Sequence, residues 1–141
     1  MAPGLAVATA AVFVWLGMVL AISFLEAPLK FRAPGVTVPI GLGIGRLVFR
    51  ALNTAEAVLA LTAVIALAVD PPGTSALVSG AVVFAALAVQ LAAVRPRLTR
   101  RSNRVLTGEN VPRSRAHYVY VALEAVKTIA LLVTGVLLLA S

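Results

Sequence analysis

Cysteine is absent from this chain, which excludes a disulfide framework and any thiolate metal site. A single histidine, His117, rules out a bis-histidine haem held within one chain. Charge is scarce too. Asp, Glu, Lys and Arg make up 12% of the 141 residues, against about 25% in soluble domains. Only five residues are acidic while twelve are basic, so the net charge is +7. What is abundant is apolar: hydrophobic residues are 61% of the chain and the mean hydropathy is +1.04. This is the composition of an integral membrane protein, and one domain suffices for its length.

The basic excess does not point to nucleic acid. Seven of the twelve basic residues lie between Arg95 and Arg115, in one connector between two apolar runs, where membrane phosphates are the nearer partner. Four apolar segments meet the requirement of about 20 residues for a helical span: 5–25, 40–69, 75–94 and 115–140. The expected architecture is all-α, a four-helix transmembrane bundle over residues 1–141 with no sequence repeat.

The breaks have local causes. "DPPGTS" joins the second and third spans, with Thr74 or Ser75 placed to cap the next helix. Pro28, Pro34 and Pro39 argue against one continuous helix after the first span. The basic connector 95–115 has room for a short helix from Arg97 to Leu106, stopped by Gly108, with Ser114 capping the last span. No charged side chain precedes Glu26, and Lys30 and Arg32 follow the first apolar run, so that run reads as a retained span rather than a secretion signal. The first and third connectors carry the positive charge and the second carries Asp70 without a base. The positive-inside rule then places both termini outside and the basic connectors in the cytoplasm.

The second span poses the main problem, because "GLGIGRLVFRALNTAEAVLALTAVIALAV" reads as a membrane helix that carries Arg46, Arg50 and Glu56. At about 1.5 Å per residue, Arg46 falls in the headgroup zone, Arg50 at the boundary where it can snorkel, and Glu56 about two turns deeper. The same count along the fourth span puts Lys127 level with Glu56, and Glu124 about one turn closer to the cytoplasm. Arg46, Arg50, Asn53 and Glu56 share an arc of about 120°, and His117, Tyr120, Glu124 and Lys127 one of about 80°. Trp15 and Glu26 share a face of the first helix, and Gln90 stands near the inner end of the third. Three acids, Glu26, Glu56 and Glu124, then balance Arg46, Arg50 and Lys127. A lone charge at depth costs about 2.5–3.5 kcal/mol, so these groups are expected to pair inside the bundle. Such a network either fixes helix register alone or forms a polar pocket for an anionic or protonatable ligand.

Gly41 and Gly45 permit close helix approach or, at a helix start beside Arg46, anion binding. They form no P-loop, since the Lys-Ser/Thr ending is missing. His117 and Glu124 stand about 10 Å apart along a helix, too far to share one ion, so no metal and no cofactor is expected. No nucleophile motif accompanies His117, Tyr120 and Glu124, and an enzyme is the less favoured reading. Arg97, Arg100, Arg101 and Arg104 are placed to meet anionic lipid headgroups, with Leu98, Val105 and Leu106 on the bilayer.

The order "FLEAPLKFRAPGVTVPIGLGIGRLVFRALNTAE", then "RPRLTRRSNRVLTGENVPRSRAHYVYVALEAVK", resembles an uncharacterised group of small four-helix bacterial inner-membrane proteins. Similar Glu-x-Pro-Leu-Lys-Phe and His-x-x-Tyr-x-x-x-Glu-x-x-Lys patterns occur there. The positions that match are Glu26, Pro28, Lys30, Phe31, Arg46, Asn53, Glu56, His117, Tyr120, Glu124 and Lys127. The resemblance covers the whole chain and implies four spans with facing polar residues in a multi-pass inner-membrane protein, without an activity. Two function classes stay open. One is a small transporter, channel or lipid- or anion-binding protein, acting as a homo-oligomer; the other is an accessory subunit of a larger membrane complex.

Overall fold

The computed structural model describes residues 1–109 and 115–141, and all regular structure among them is helical. Four helices are long and apolar enough to cross a membrane: α1 (Pro3–Arg32), α2 (Val38–Val69), α3 (Thr74–Leu106) and α4 (Arg115–Leu139). Helix α1 packs on both α2 and α4, and α3 packs on α4.

Two of these helices outrun the spans expected from the sequence, and proline explains both. Helix α1 passes through Pro28 and α3 through Pro96 without a break. A proline in a helix lacks the N–H for its i−4 bond, and its ring crowds the carbonyl there. In each case the turn before it widens to π geometry, over Leu20–Glu26 in α1 and Gln90–Val94 in α3. The widened turns close with the N–H of Ala27 on the Ile22 carbonyl and that of Arg95 on the Gln90 carbonyl. Pro28 therefore does not end the first helix, and the basic segment Arg95–Leu106 continues α3 where a separate short helix was expected.

The ends are built by local chemistry. Thr37 caps α2, its hydroxyl oxygen accepting from the Ile40 N–H at 3.4 Å, and Pro39 occupies the first turn. Gly73, with no side-chain bond, takes the cap position of α3 in place of Thr74 or Ser75. Asp70, just past α2, accepts a hydrogen bond from the Gly4 N–H at 2.6 Å. It thereby satisfies one free donor at the positive end of α1. Helix α3 stops at Gly108, whose φ of 96° suits glycine. There Gly108 N–H donates to the Val105 carbonyl and Glu109 N–H to that of Arg104, a Schellman closure. The expected cap at Ser114 lies outside the described residues.

Away from the basic connectors the bundle is filled by apolar side chains, among them Val12, Trp15, Val83, Leu131 and Leu138. Trp15 meets Phe84 edge to face, with ring centroids 6.1 Å apart, and Gly135 makes room for the Phe13 ring. A smaller cluster, Val94, Ala116 and Tyr120, lies at the basic end with Leu98 and Phe49 against it.

The two halves of the chain are built alike, although their residues show no overt repeat. Each has a helix with a π segment ending shortly before a proline, followed by a helix with a buried glutamate. Pro28 and Pro96 stand as far apart in sequence as Glu56 and Glu124.

Candidate functional site

The polar interior is organised around Lys127, which is fully buried on α4. Its ammonium lies 2.5 Å from Glu56 Oε1 and 2.6 Å from Glu124 Oε1, and donates to Gln90 Oε1 at 2.9 Å. The ammonium thus makes two hydrogen bonds, to Glu56 and Gln90, and a further ion pair to Glu124. Glu56 Oε1 also accepts from the Trp15 indole at 2.8 Å. Glu124 Oε2 accepts from the Ser23 hydroxyl at 2.6 Å, and Glu124 Oε1 from the Gln90 amide at 3.3 Å. Every helix contributes: Trp15 and Ser23 from α1, Glu56 from α2, Gln90 from α3, Glu124 and Lys127 from α4. The π segments help to position it, since Ser23 lies within one and Gln90 opens the other.

Glu124 is also the floor of a cavity of about 510 Å³ at the basic end. Lys30, Arg46, Arg95, Arg101 and His117 line it, and its walls are largely apolar, with Phe24, Phe31, Leu42, Phe49 and Leu98. Phe49 is a shared platform: Lys30 Nζ lies 5.8 Å from its centroid and the Arg95 guanidinium 5.2 Å, within cation–π range. Arg95 also faces Tyr120 at 5.8 Å. Lys30 pairs with Glu26 at 3.7 Å. The Ser102 hydroxyl, on the same cavity wall, is buried without a hydrogen-bond partner among the described residues.

Several sequence-based assignments change. Arg46 and Arg50 do not balance the buried acids: Arg46 lines the cavity and Arg50 is exposed, and neither forms an ion pair among the described residues. Glu56 stands at one edge of the polar arc, so rotating it into the bundle turns Arg50, about 120° away, to the outside. Asn53 is half-buried and does not line the cavity. Glu26 pairs locally with Lys30 instead of joining the deep cluster, since it stands about three turns from Trp15 along α1. On the connector, Arg97, Arg100 and Arg104 are exposed, while Arg101 is half-buried and lines the cavity. Leu98 is half-buried against the Tyr120 cluster and Val105 is buried, so only Leu106 of the three is exposed. Arg104 is held by Glu109 at 2.7 Å.

Gly41 and Gly45 serve packing at the cavity mouth. A Cβ on Gly41 would run into the Phe31 ring, and one on Gly45 would lie 3.2 Å from Lys30 Nζ. Sequence reasoning missed Trp15 and Ser23 as partners of the acids. The available signal was an indole donor and a hydroxyl within a largely apolar span, Ser23 standing inside a π turn that a count of residues at α-helical rise does not include. Among the described residues no three His, Asp or Glu side chains gather as a metal site. Comparison with known protein families, with curated proteins and with solved structures finds no match.

Proposed function

We propose that this protein is a multi-pass inner-membrane protein, with both termini outside, that binds an anionic amphiphile from the cytoplasmic leaflet. The observation that carries this reading is the cavity of about 510 Å³ lined by cations together with aromatic and aliphatic side chains. That volume is in the ordinary range for small-molecule sites, about 300–1,000 Å³. Lys30, Arg46, Arg95 and Arg101 suit a phosphate or carboxylate, the Ser102 hydroxyl offers an unused donor, and the apolar wall accommodates a chain. One copy contains the whole cavity, so a homo-oligomer is not needed to form it. An open channel is not supported, because apolar side chains fill the far half of the bundle.

Native mass spectrometry after mild detergent extraction tests the reading. Lys30→Gln, Arg46→Gln and Arg95→Gln together should abolish retention of phosphatidylglycerol or added oleate. Arg97→Gln, Arg100→Gln and Arg104→Gln together should leave it. Loss only in the second set would move lipid binding to the connector surface, and equal retention in both sets would remove the proposal. Displacement by inorganic phosphate but not by a neutral lipid would identify the headgroup as the recognised part.

The alternative, a non-catalytic subunit of a larger complex, draws on one observation: Glu56 and Lys127 are closed into contact at 2.5 Å, as a purely structural network requires. A stoichiometric partner in the same mass spectra would favour it.

A further inference from the structure

The charges of the buried cluster do not cancel. Glu56 and Glu124 face one ammonium, that of Lys127, and the three side chains are 0%, 2% and 0% exposed. With both carboxylates ionised the cluster carries one uncompensated negative charge. An uncompensated charge is costly in the interior of a membrane bundle. Two of the cations that line the cavity are engaged elsewhere: Lys30 with Glu26 and the Phe49 face, Arg95 with Phe49 and Tyr120. Arg46 and Arg50 make no pair with these acids. A second observation points the same way. Glu56 Oε2 is buried and has no hydrogen-bond partner among the described residues, an arrangement ill-suited to a fully charged carboxylate.

We propose that the triad of Glu56, Lys127 and Glu124 is a binding site for one exchangeable proton, loaded from the cavity through Glu124. In this step a proton leaves hydronium in the cavity and bonds to a carboxylate oxygen, giving water and a neutral acid. No other bond changes. A metal cation does not fit, since the ammonium already occupies the space between the two carboxylates at 2.5 and 2.6 Å. Glu124 is the entry point because it alone of the three lines the cavity. Trp15, whose indole bonds Glu56, belongs to the apolar core that also holds Val19, Ala60 and Leu131. The groups that surround the triad and its approach are Glu26 and Lys30 on α1, Arg46 on α2, Arg95 and Arg101 on α3, and His117 and Tyr120 on α4. The site does not depend on what the cavity binds.

Difference infrared spectroscopy of the ligand-free protein in detergent tests this, reading the carbonyl stretch of a protonated carboxyl group and its shift in heavy water. With only five acidic residues in the chain, the assignment is tractable. The wild type should show one such band at neutral pH. The band should vanish in Glu56→Gln and equally in Glu124→Gln, because either change leaves one acid balanced by Lys127, and should persist in Glu26→Gln. Lys127→Met, if it folds, should double it. Filling the cavity with Ala27→Trp should slow the heavy-water shift. No band in the wild type overturns the proposal, and so does a band that survives either triad substitution. An unaltered exchange rate with the cavity filled would overturn the route through Glu124.

Discussion

Removing Lys127 is the perturbation that most sharply tests the buried cluster, because one ammonium serves two acids. Lys127→Met deletes contacts to Glu56 at 2.5 Å, Glu124 at 2.6 Å and Gln90 at 2.9 Å, and leaves two acids without a counterion. Breaking a buried pair in this way costs about 3–5 kcal/mol. Glu56→Gln is the milder change. The amide oxygen still accepts from Trp15, which donates at 2.8 Å, and Lys127 keeps Glu124. Its cost is the difference between a charge-assisted hydrogen bond, about 1.5–3 kcal/mol, and a neutral one, about 0.5–1.5 kcal/mol, hence about 1–2 kcal/mol. Equilibrium unfolding in mixed micelles of mild detergent and dodecyl sulfate should therefore rank Lys127→Met about 1–4 kcal/mol below Glu56→Gln. The double variant should recover only part of the Lys127→Met loss, since Glu124 remains unbalanced. A Lys127→Met protein within about 1 kcal/mol of wild type, or a Glu56→Gln protein less stable than it, would refute the electrostatic account.

Glycines give predictions of opposite sign. A Cβ on Gly135 would lie 2.6 Å from the Phe13 ring, so Gly135→Ala should lower stability by about 1–3 kcal/mol through overpacking. Gly17, on α1, has open space there, so Gly17→Ala should raise stability by about 0.5–1 kcal/mol in the same unfolding assay. The topology is read separately: cysteines placed at Thr99 or Thr107 should resist an impermeant outside reagent in intact cells while one at Ser141 reacts, and the reverse pattern would invert the orientation.

The four membrane-length helices were legible because runs of Ala, Val and Leu exceed the span length and the connectors are plainly polar. The facing of Glu56 and Lys127 was legible for a similar reason. Each of α2 and α4 is regular α-helix along its whole length, so counting at constant rise places the two side chains level. Rotation was harder to read. The buried line on α2 is Leu52, Glu56, Ala60 and Ala63, and a polar arc defined by its own charged members does not reveal which edge turns inward, so Arg50 and Asn53 were assigned to the interior on phase alone. Helices α1 and α3 were harder still. The sequence pattern ends the first span at Leu25, before Pro28, and the third at Val94, before the basic run, whereas the bundle carries both helices on through a proline and spreads the defect over a π turn. That turn breaks the constant rise and rotation on which a count of residues along α1 depends.

The equal spacing of Pro28 with Pro96 and of Glu56 with Glu124 shows where the site's asymmetry comes from. Each half supplies a proline-bearing helix with a widened turn and a helix with one buried glutamate. At the same spacing, the second half has Lys127 where the first has Leu59, and Gln90 where the first has Ile22. Two halves of identical composition would bury two unbalanced acids near one another, which the membrane interior does not tolerate. The substitution of a lysine and a glutamine in one half alone supplies an ammonium for both acids and an amide for Glu124 and Lys127. It supplies one positive charge, not two. The residual acid is thus a direct product of the way the two halves differ, and Glu124, which opens onto the basic cavity, is the group through which that residue of charge meets the solvent side.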